Sequence, residues 1–381
     1  MKQKKAVSKE TYVMLLVVVG IFGYLGSVMG MGNFFNTLMN TAHDLLINTC
    51  FFIMAVSVVM GALSSLLAEY GGIALLNKII SPIMRPVYGL PGAASLGVVS
   101  SFVSDNPAVM SLIKNEKFSK YFKDYQVPAL CNLTFGMGMI LVTYMLGLNL
   151  ENVHISVIIG MLGAFVGSIV AVKYMLHKSK KYYNVSKEEA KNDHSFSADK
   201  KGEEDMREIR GSGFERVIGA ILEGGKTGVE LGFAIVPGVL VICTMVMIFT
   251  YGMPAGGYTG SAYEGVELLP KLGALIQPVT DIMFGFKNPS NIAFPITSMG
   301  STGAAMALVP KMVELGTVGI NEIAVFTAIG MRWSGFLSTH VSMLDAIDRR
   351  QFIKDSITAH TIGGLAAGVA AHYICLLFGL C

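Results

Sequence analysis

Two apolar stretches that are interrupted by proline and glycine decide how this chain folds. Residues 81–112 read SPIMRPVYGLPGAASLGVVSSFVSDNPAVMSL, and residues 277–308 read QPVTDIMFGFKNPSNIAFPITSMGSTGAAMAL. In an alignment of the two, Pro82 falls on Pro278 and Gly89 on Gly285, and serines follow in the same order. Broken apolar backbone survives at membrane depth only where it is buried in protein or lines a wet cavity. Both stretches are therefore predicted to belong to re-entrant hairpins.

The rest of the chain has the composition of an integral membrane protein. Only 14% of its residues are Asp, Glu, Lys or Arg, against roughly 25% in an average soluble domain. A helix needs about 20 mainly apolar residues to cross the hydrocarbon. Seven segments meet this requirement: residues 12–30, 46–68, 127–147, 154–176, 227–251, 323–347 and 357–380. The predicted fold is an all-α membrane protein with about seven transmembrane helices and two re-entrant broken-helix hairpins, 72–112 and 268–309.

The predicted elements follow the same order in both halves of the chain. Each half has one spanning helix, one hairpin and two more spanning helices. Three crossings invert the second copy, and inverted repeats with broken helices are typical of secondary transporters. The predicted regions are an N-terminal helix with an outer loop (1–45), a first repeat (46–176), a flexible charged cytoplasmic linker (177–213), an interfacial helix (214–226) and a second repeat (227–381).

Lysine and arginine are distributed unevenly between the predicted loops. Loops 31–45, 148–153 and 252–270 contain neither residue, whereas the N-terminus, the linker and the loops on the same side contain many. Because these residues concentrate on the cytoplasmic side of membrane proteins, we expect a bacterial inner (cytoplasmic) membrane protein with its N-terminus inside and its C-terminus outside.

Polar side chains concentrate in the two hairpins. A broken helix exposes main-chain N–H and C=O groups that bind ions and polar ligands, and Ser, Thr and Asn add directional hydrogen bonds. The candidate substrate-binding residues in the hairpins are Ser101, Ser104, Asn106, Asn288, Ser290, Asn291, Ser298, Ser301 and Thr302. Asn-Pro and Ser-Asp are also ordinary turn residues at a helix break, so a structural role stays open. Asp105 is the candidate carboxylate for coupling to Na+ or H+, with helix capping as the alternative.

Arg332 lies well inside the predicted span 323–347. A charged side chain at a helix centre costs about 2.5–3.5 kcal/mol on insertion scales. Three environments would accommodate it: a buried ion pair, contact with a substrate carboxylate or phosphate, or a solvent-filled vestibule. The ion-pair partners considered are Asp105, Glu230 and Asp281. Gly335 and Thr339 follow at i+3 and i+7 and are expected on the same helix face.

The second half resembles a known group of membrane proteins. The run LEGGKTGVELGFAIVPGVLVICTMVMIFTYG at 222–252, followed by LIQPVTDIMFGF and SMGSTGAAMALV, is similar to the nucleoside recognition or Gate-domain family. That family includes spore maturation proteins A and B and the gate region of ferrous-iron transporter B, with concentrative nucleoside transporters as distant relatives. The resemblance implies a transporter-like core without fixing a substrate. The iron transporter's nucleotide-binding motif, GxxxxGKS or GxxxxGKT, is absent.

No motif in the sequence indicates catalysis. The motifs HExxH and CxxC do not occur, and no nucleophilic side chain has a general base at a spacing that would bring the two together. The prediction is a secondary transporter, not an enzyme, that needs no cofactor, metal or nucleic acid. It moves a small polar or anionic solute, nucleoside-like or carboxylate-like, through the lipid bilayer by alternating access with Na+ or H+. A channel and a non-transporting assembly or sporulation protein are the alternatives.

Two glycine pairs indicate how the last helix of each repeat packs. Gly163 and Gly167 form one GxxxG spacing, and Gly364 and Gly368 form the other. Such small-residue spacings let two helix backbones approach closely. We expect these contacts within the protomer, with a homo-oligomer as the alternative.

Overall fold

The computed structural model describes residues 6–103, 109, 113, 121–185 and 211–380, except the side chains of 336–338. The helices of the first half are α1 (Lys9–Met29), α2 (Met31–Asp44), α3 (Phe51–Glu69), α4 (Gly72–Tyr88), α5 (Ala94–Val103), α6 (Val127–Leu130), α7 (Gly138–Leu146) and α8 (Val153–Tyr182). Those of the second half are α9 (Gly213–Pro237), α10 (Thr244–Thr250), α11 (Leu268–Phe284), α12 (Ala293–Gly300), α13 (Thr302–Glu314), α14 (Ile320–Trp333), α15 (Phe336–Ala346) and α16 (Ile353–Leu377).

Five continuous helices of the described chain are long and apolar enough to cross a membrane. They are α1, the joined pair α2 and α3, α8, the joined pair α9 and α10, and α16 with the short 3-10 turn before it. A π-helical turn joins each pair, at Leu45–Cys50 in the first half and at Gly238–Cys243 in the second. The chain is thus an all-helical, multi-pass membrane protein.

Two predicted spans are not continuous helices. Residues 127–147 divide into α6 and α7, with a non-helical segment at 131–137 between them. Residues 323–347 divide into α14 and α15 at Ser334 and Gly335. The backbone explains both interruptions, because Met137 (φ 55°) and Gly335 (φ 69°) adopt left-handed conformations that an α-helix cannot contain. We call these two segments the first break and the second break.

The second predicted hairpin is two elements instead of one. Helix α11 ends at Gly285, whose left-handed φ of 69° glycine adopts without strain. The tight hairpin follows as α12 and α13, which meet at Ser301. In the first half, α4 likewise ends at Gly89 (φ 73°) and is followed by α5. The aligned glycines therefore have the same role in both halves. The remainder of the first hairpin lies largely outside the described residues.

Residues 214–226 do not form a separate helix, in contrast to the expected interfacial element. They are the first part of α9, which runs without interruption to Pro237. Ser212 begins the helix with a capping box, since its hydroxyl accepts from the Glu215 N–H at 3.3 Å and its own N–H donates to the Glu215 carboxylate at 2.7 Å. An ion pair of 2.6 Å between Arg216 and Glu69 joins this end of α9 to α3.

Glycines bring the long helices into backbone contact. Gly61 on α3 and Gly224 on α9 face each other so closely that a Cβ on either would overlap the other's carbonyl. Helices α8 and α16 meet in the same way, because a Cβ on Gly167 would lie 2.6 Å from the Ala367 Cβ. Gly364 and Gly368 also face other helices of this chain. The GxxxG spacings pack within the protomer, as predicted.

The loop before α11 is held by a buried carboxylate. Glu264 accepts hydrogen bonds from the Thr259 hydroxyl at 2.5 Å, from the Thr259 N–H at 3.1 Å and from the Gly260 N–H at 3.0 Å. Burial by itself raises the pKa of Glu264, but these donors outweigh it and hold the pKa below its usual value. The ionised carboxylate therefore stabilises this loop.

Candidate functional site

The two helix breaks lie next to each other in the core, and Arg332 joins them. It occupies the last turn of α14, directly before the second break, and is completely buried. Its Nη1 donates to the main-chain carbonyl of Thr134, and its Nη2 donates to that of Asn132 at 2.9 Å. Both carbonyls belong to the first break. The guanidinium also lies over the Phe135 ring, 5.5 Å from its centroid.

This geometry corrects the expected surroundings of Arg332. The residue is at a helix end instead of a helix centre, so the expected common face with Gly335 and Thr339 is wrong. It pairs with neither carboxylate that the structure describes among the candidates: Asp281 forms an ion pair with Lys287 at 2.8 Å, and Glu230 is exposed. Full burial also excludes a solvent-filled vestibule in this conformation. The third candidate partner, Asp105, lies outside the described residues.

Side chains from other helices fix the first break. Asn132 and Ser356 on α16 exchange two hydrogen bonds of 2.9 Å, from the Asn132 amide to the Ser356 carbonyl and from the Ser356 hydroxyl to the Asn132 side-chain oxygen. Ser101, at the end of α5, accepts from the Phe135 N–H at 3.0 Å. A broken helix leaves main-chain groups without helical partners, and these contacts satisfy part of them.

The tip of the second hairpin lies beside α14. Thr302 donates its hydroxyl to the Gly330 carbonyl at 3.1 Å, two residues before Arg332. Ser301 caps α13, because its hydroxyl accepts from the Ala304 N–H at 3.2 Å. Ser298 is fully buried on α12, and its hydroxyl has no hydrogen-bond partner among the described residues.

The remaining candidates of the second hairpin lie at its other end. Asn288 accepts from the Ser290 N–H at 2.9 Å and so caps the turn before α12, while Asn291 donates to the Thr317 carbonyl at 3.0 Å. At about 1.5 Å per residue, this end is roughly 15 Å from the tip. The structure thus brings Ser101, Ser298, Ser301, Thr302 and Arg332 towards the two breaks and leaves the other three apart. Ser104, Asp105 and Asn106 are outside the described residues.

Sequence reasoning missed the residues that face Arg332. Asn132 and Thr134 contribute main-chain oxygens, which every residue has, so no residue type signals them. A buried histidine pair was also missed: the rings of His340 and His360 lie 3.9 Å apart, and the Trp333 indole donates to the His360 carbonyl at 3.1 Å. These two histidines are on different helices, and no sequence spacing connects them.

A cavity with several polar side chains lies at the base of the second hairpin. It has a volume of about 400 Å³. Its polar lining includes Asp281, Lys287, Asn321, Glu322 and His372. His372 Nδ1 and the Asn321 side-chain oxygen are 2.8 Å apart. Within the described ranges, no group of three or more His, Cys, Asp or Glu side chains could hold a metal ion.

Comparison with solved structures finds a similar fold in CNTnw, a concentrative nucleoside transporter. One CNTnw variant in an outward-facing state matches with a TM-score of 0.52 at 15% identity, over 97% of this chain and 86% of that chain. Another outward-facing variant gives 0.51 at 16% identity over the same shares of both chains. A variant in an intermediate state gives 0.50 at 15% identity, over 84% of this chain and 74% of that chain.

These matches bear on the fold alone, because the sequences are so different. No family model and no curated protein matches the sequence. The resemblance to concentrative nucleoside transporters is therefore confirmed for the fold. The resemblance to spore maturation proteins and to the ferrous-iron transporter gate region stays a prediction.

Proposed function

We propose that the chain is a secondary transporter of the bacterial inner membrane, with its N-terminus in the cytoplasm. It moves a small polar or anionic solute, nucleoside-like or carboxylate-like, by alternating access coupled to Na+ or H+. Ser101, Ser298, Ser301, Thr302 and Arg332 line the substrate path near the breaks. Asp105 is the proposed ion-coupling carboxylate.

The observation that carries the proposal is the pair of facing helix breaks in the core. A helix break inside a membrane protein leaves main-chain groups that must be satisfied by protein, water or ligand. In secondary transporters such groups form the substrate and ion sites near the midplane. Here both breaks meet at one buried arginine, and intramembrane charges usually mark functional sites. The fold similarity to CNTnw in outward-facing and intermediate states agrees with this reading.

The second hairpin has the features of a moving element. Its tip touches the rest of the protein through small residues: a Cβ on Gly238, in the second π-helical turn, would lie 3.0 Å from the Ser301 hydroxyl oxygen. One tip hydroxyl, that of Thr302, bonds to α14. Separation of the tip from α14 would break this hydrogen bond and the apolar contacts of the hairpin, such as the stack of Phe294 on Phe326. Its separation would open a path from Arg332 to one side of the membrane.

Uptake into proteoliposomes tests the proposal. Labelled uridine and labelled lactate are offered under an inward Na+ gradient, a proton gradient or no gradient. We expect saturable uptake of one solute that depends on one gradient and shows counterflow with unlabelled solute. Linear, non-saturating flux would identify a channel, and absence of uptake of either solute class would favour an assembly protein.

A matched pair of variants tests the ion coupling. Asp105→Asn removes the proposed coupling carboxylate, whereas Asp124→Asn removes an exposed carboxylate that pairs with Arg349. Uptake by Asp105→Asn should lose its dependence on the ion gradient, and Asp124→Asn should behave like wild type. If Asp105→Asn keeps the ion dependence, this carboxylate does not couple transport.

A further inference from the structure

Arg332 forms no ion pair with any acidic side chain that the structure describes. Its positive charge is therefore not balanced by any of these side chains. We propose that this guanidinium, together with the hydroxyls of Thr134 and Ser298, forms a binding site for a small oxyanion. The transported substrate accordingly carries a carboxylate or phosphate group. The inference rests on the proposed transport function and narrows its substrate class.

The hydrogen bonds of Arg332 orient its charge without neutralising it. A guanidinium has five N–H donors. Two of its nitrogens donate to the carbonyls of Asn132 and Thr134, which are neutral groups. The third nitrogen, Nε, has no partner among the described residues. A buried charge that is not balanced by an opposite charge is strongly unfavourable. A ligand that brings one negative charge removes this penalty.

Three buried polar atoms near the breaks have no hydrogen-bond partner among the residues that the structure describes. They are Arg332 Nε, the Thr134 hydroxyl oxygen and the Ser298 hydroxyl oxygen. Thr134 lies next to Arg332, because its carbonyl oxygen accepts a hydrogen bond from the guanidinium. Ser298 is one helical turn beyond Phe294, whose ring stacks on Phe326 of α14 at 4.3 Å. Helix α12 contacts both α14 and α15, the two helices that the second break separates. Buried polar groups normally have partners, so these three groups are available to a ligand.

The chemistry of these three groups favours an oxyanion over a neutral solute. All three can donate hydrogen bonds: one N–H from the guanidinium and two hydroxyls. A carboxylate or phosphate accepts several hydrogen bonds and pairs with arginine through charge-assisted bonds, which are the strongest class. A neutral nucleoside would satisfy the hydroxyls but would leave the arginine charge unbalanced.

The binding test uses the purified full-length protein in detergent. Isothermal titration and melting temperature are measured with sodium lactate, sodium phosphate, uridine monophosphate and uridine, with sodium chloride as the blank. We expect one oxyanion to bind and uridine not to bind. The lactate and phosphate arms distinguish a carboxylate from a phosphate group.

Three substitutions locate the binding. Arg332→Gln should weaken oxyanion binding by about tenfold or more, because a charge-assisted bond is lost. Ser298→Ala keeps the charge and should weaken binding by roughly threefold to tenfold. If Arg332→Gln fails to fold, Ser298→Ala still tests the proposed site. Arg349→Gln removes a positive charge outside the site and should leave the affinity unchanged.

Several outcomes would overturn the proposal. These are the absence of oxyanion binding to the wild type, or binding that Ser298→Ala and Arg332→Gln leave unchanged. A double variant of Arg332→Gln and Asp105→Asn that melts higher than Arg332→Gln alone would show that an internal carboxylate balances the arginine. Oxyanion binding without uptake in proteoliposomes would refute transport and keep the site. Uptake of a neutral solute by wild type and Ser298→Ala alike would refute the site and keep transport.

Discussion

Substitution of Ser356 by alanine should loosen the first break. The Ser356 hydroxyl donates to the side-chain oxygen of Asn132 at 2.9 Å, and both residues are completely buried. Alanine removes the donor and leaves that oxygen buried without it. A buried polar atom that loses its partner costs about 1–3 kcal/mol. We therefore expect the free energy of unfolding to fall by that amount.

The matched control is Ser342→Ala. The Ser342 hydroxyl bonds to the Thr339 carbonyl at 2.9 Å, but the side chain is exposed and water can replace the bond. Its effect should stay within about 0.5 kcal/mol. The assay is denaturation by sodium dodecyl sulfate in mixed micelles, followed by circular dichroism.

A double-mutant cycle with Asn132→Ala isolates the interaction. Two residues in direct contact are expected to show a coupling of about 0.5–3 kcal/mol. The reasoning is refuted if Ser356→Ala and Ser342→Ala are equally stable, or if the cycle shows no coupling. In the first case the Asn132 oxygen would have found another donor, and the break would not depend on α16.

Three other predictions concern packing, acid stability and the hairpin tip. Gly167→Ala should lower the free energy of unfolding by about 1–3 kcal/mol through overpacking; Gly20→Ala on α1, where a Cβ meets nothing within 4 Å, should not lower it in the same denaturation assay. Because the pKa of Glu264 is lowered by folding, its contribution to stability is complete above an ordinary carboxyl pKa of about 4.3 and declines below it. Glu264→Gln should accordingly flatten the loss of melting temperature at low pH, and an unchanged profile would contradict the assignment. Thr302→Val removes the bond to the Gly330 carbonyl and should raise the uptake KM roughly threefold to tenfold; a KM equal to wild type would show that this bond does not hold the tip closed.

Hydropathy predicted the five continuous spans because each is a long apolar stretch of sequence. A helix that crosses the lipid bilayer requires such a stretch, so its position can be found from residue type alone. It could not predict the breaks at 131–137 and 334–335, because an apolar window reports where residues are buried and not whether their helix is continuous. The first break contains one fully buried amide, Asn132, and one fully buried hydroxyl, Thr134, among apolar residues. Its partner Ser356 is more than two hundred residues away in sequence, so only the tertiary fold reveals why the helix can stop there.

The glycines that end α4 and α11 were easier to recognise than the contacts of Arg332. Gly89 and Gly285 require left-handed backbone, and glycine is the residue that adopts it without strain. Such a requirement is visible as a residue type at a fixed place in both halves. The contacts of Arg332 use main-chain oxygens, which leave no trace in residue identity. The sequence therefore located the charge but not the groups that hold it.

The placement of this charge also makes the two halves unequal. Downstream of the aligned hairpins, Gly136 and Met137 fall on Gly330 and Met331, which places Gly138 opposite Arg332. A Cβ on Gly138 would lie 2.7 Å from a ring carbon of Phe102, so that position has no room for a side chain. One half thus contributes the positive charge and the other contributes carbonyl oxygens. Because the positive charge lies at one side of the junction, a bound anion would be held in one orientation. The two ends of a transported solute would then meet chemically different surfaces, which a site built from identical halves could not provide.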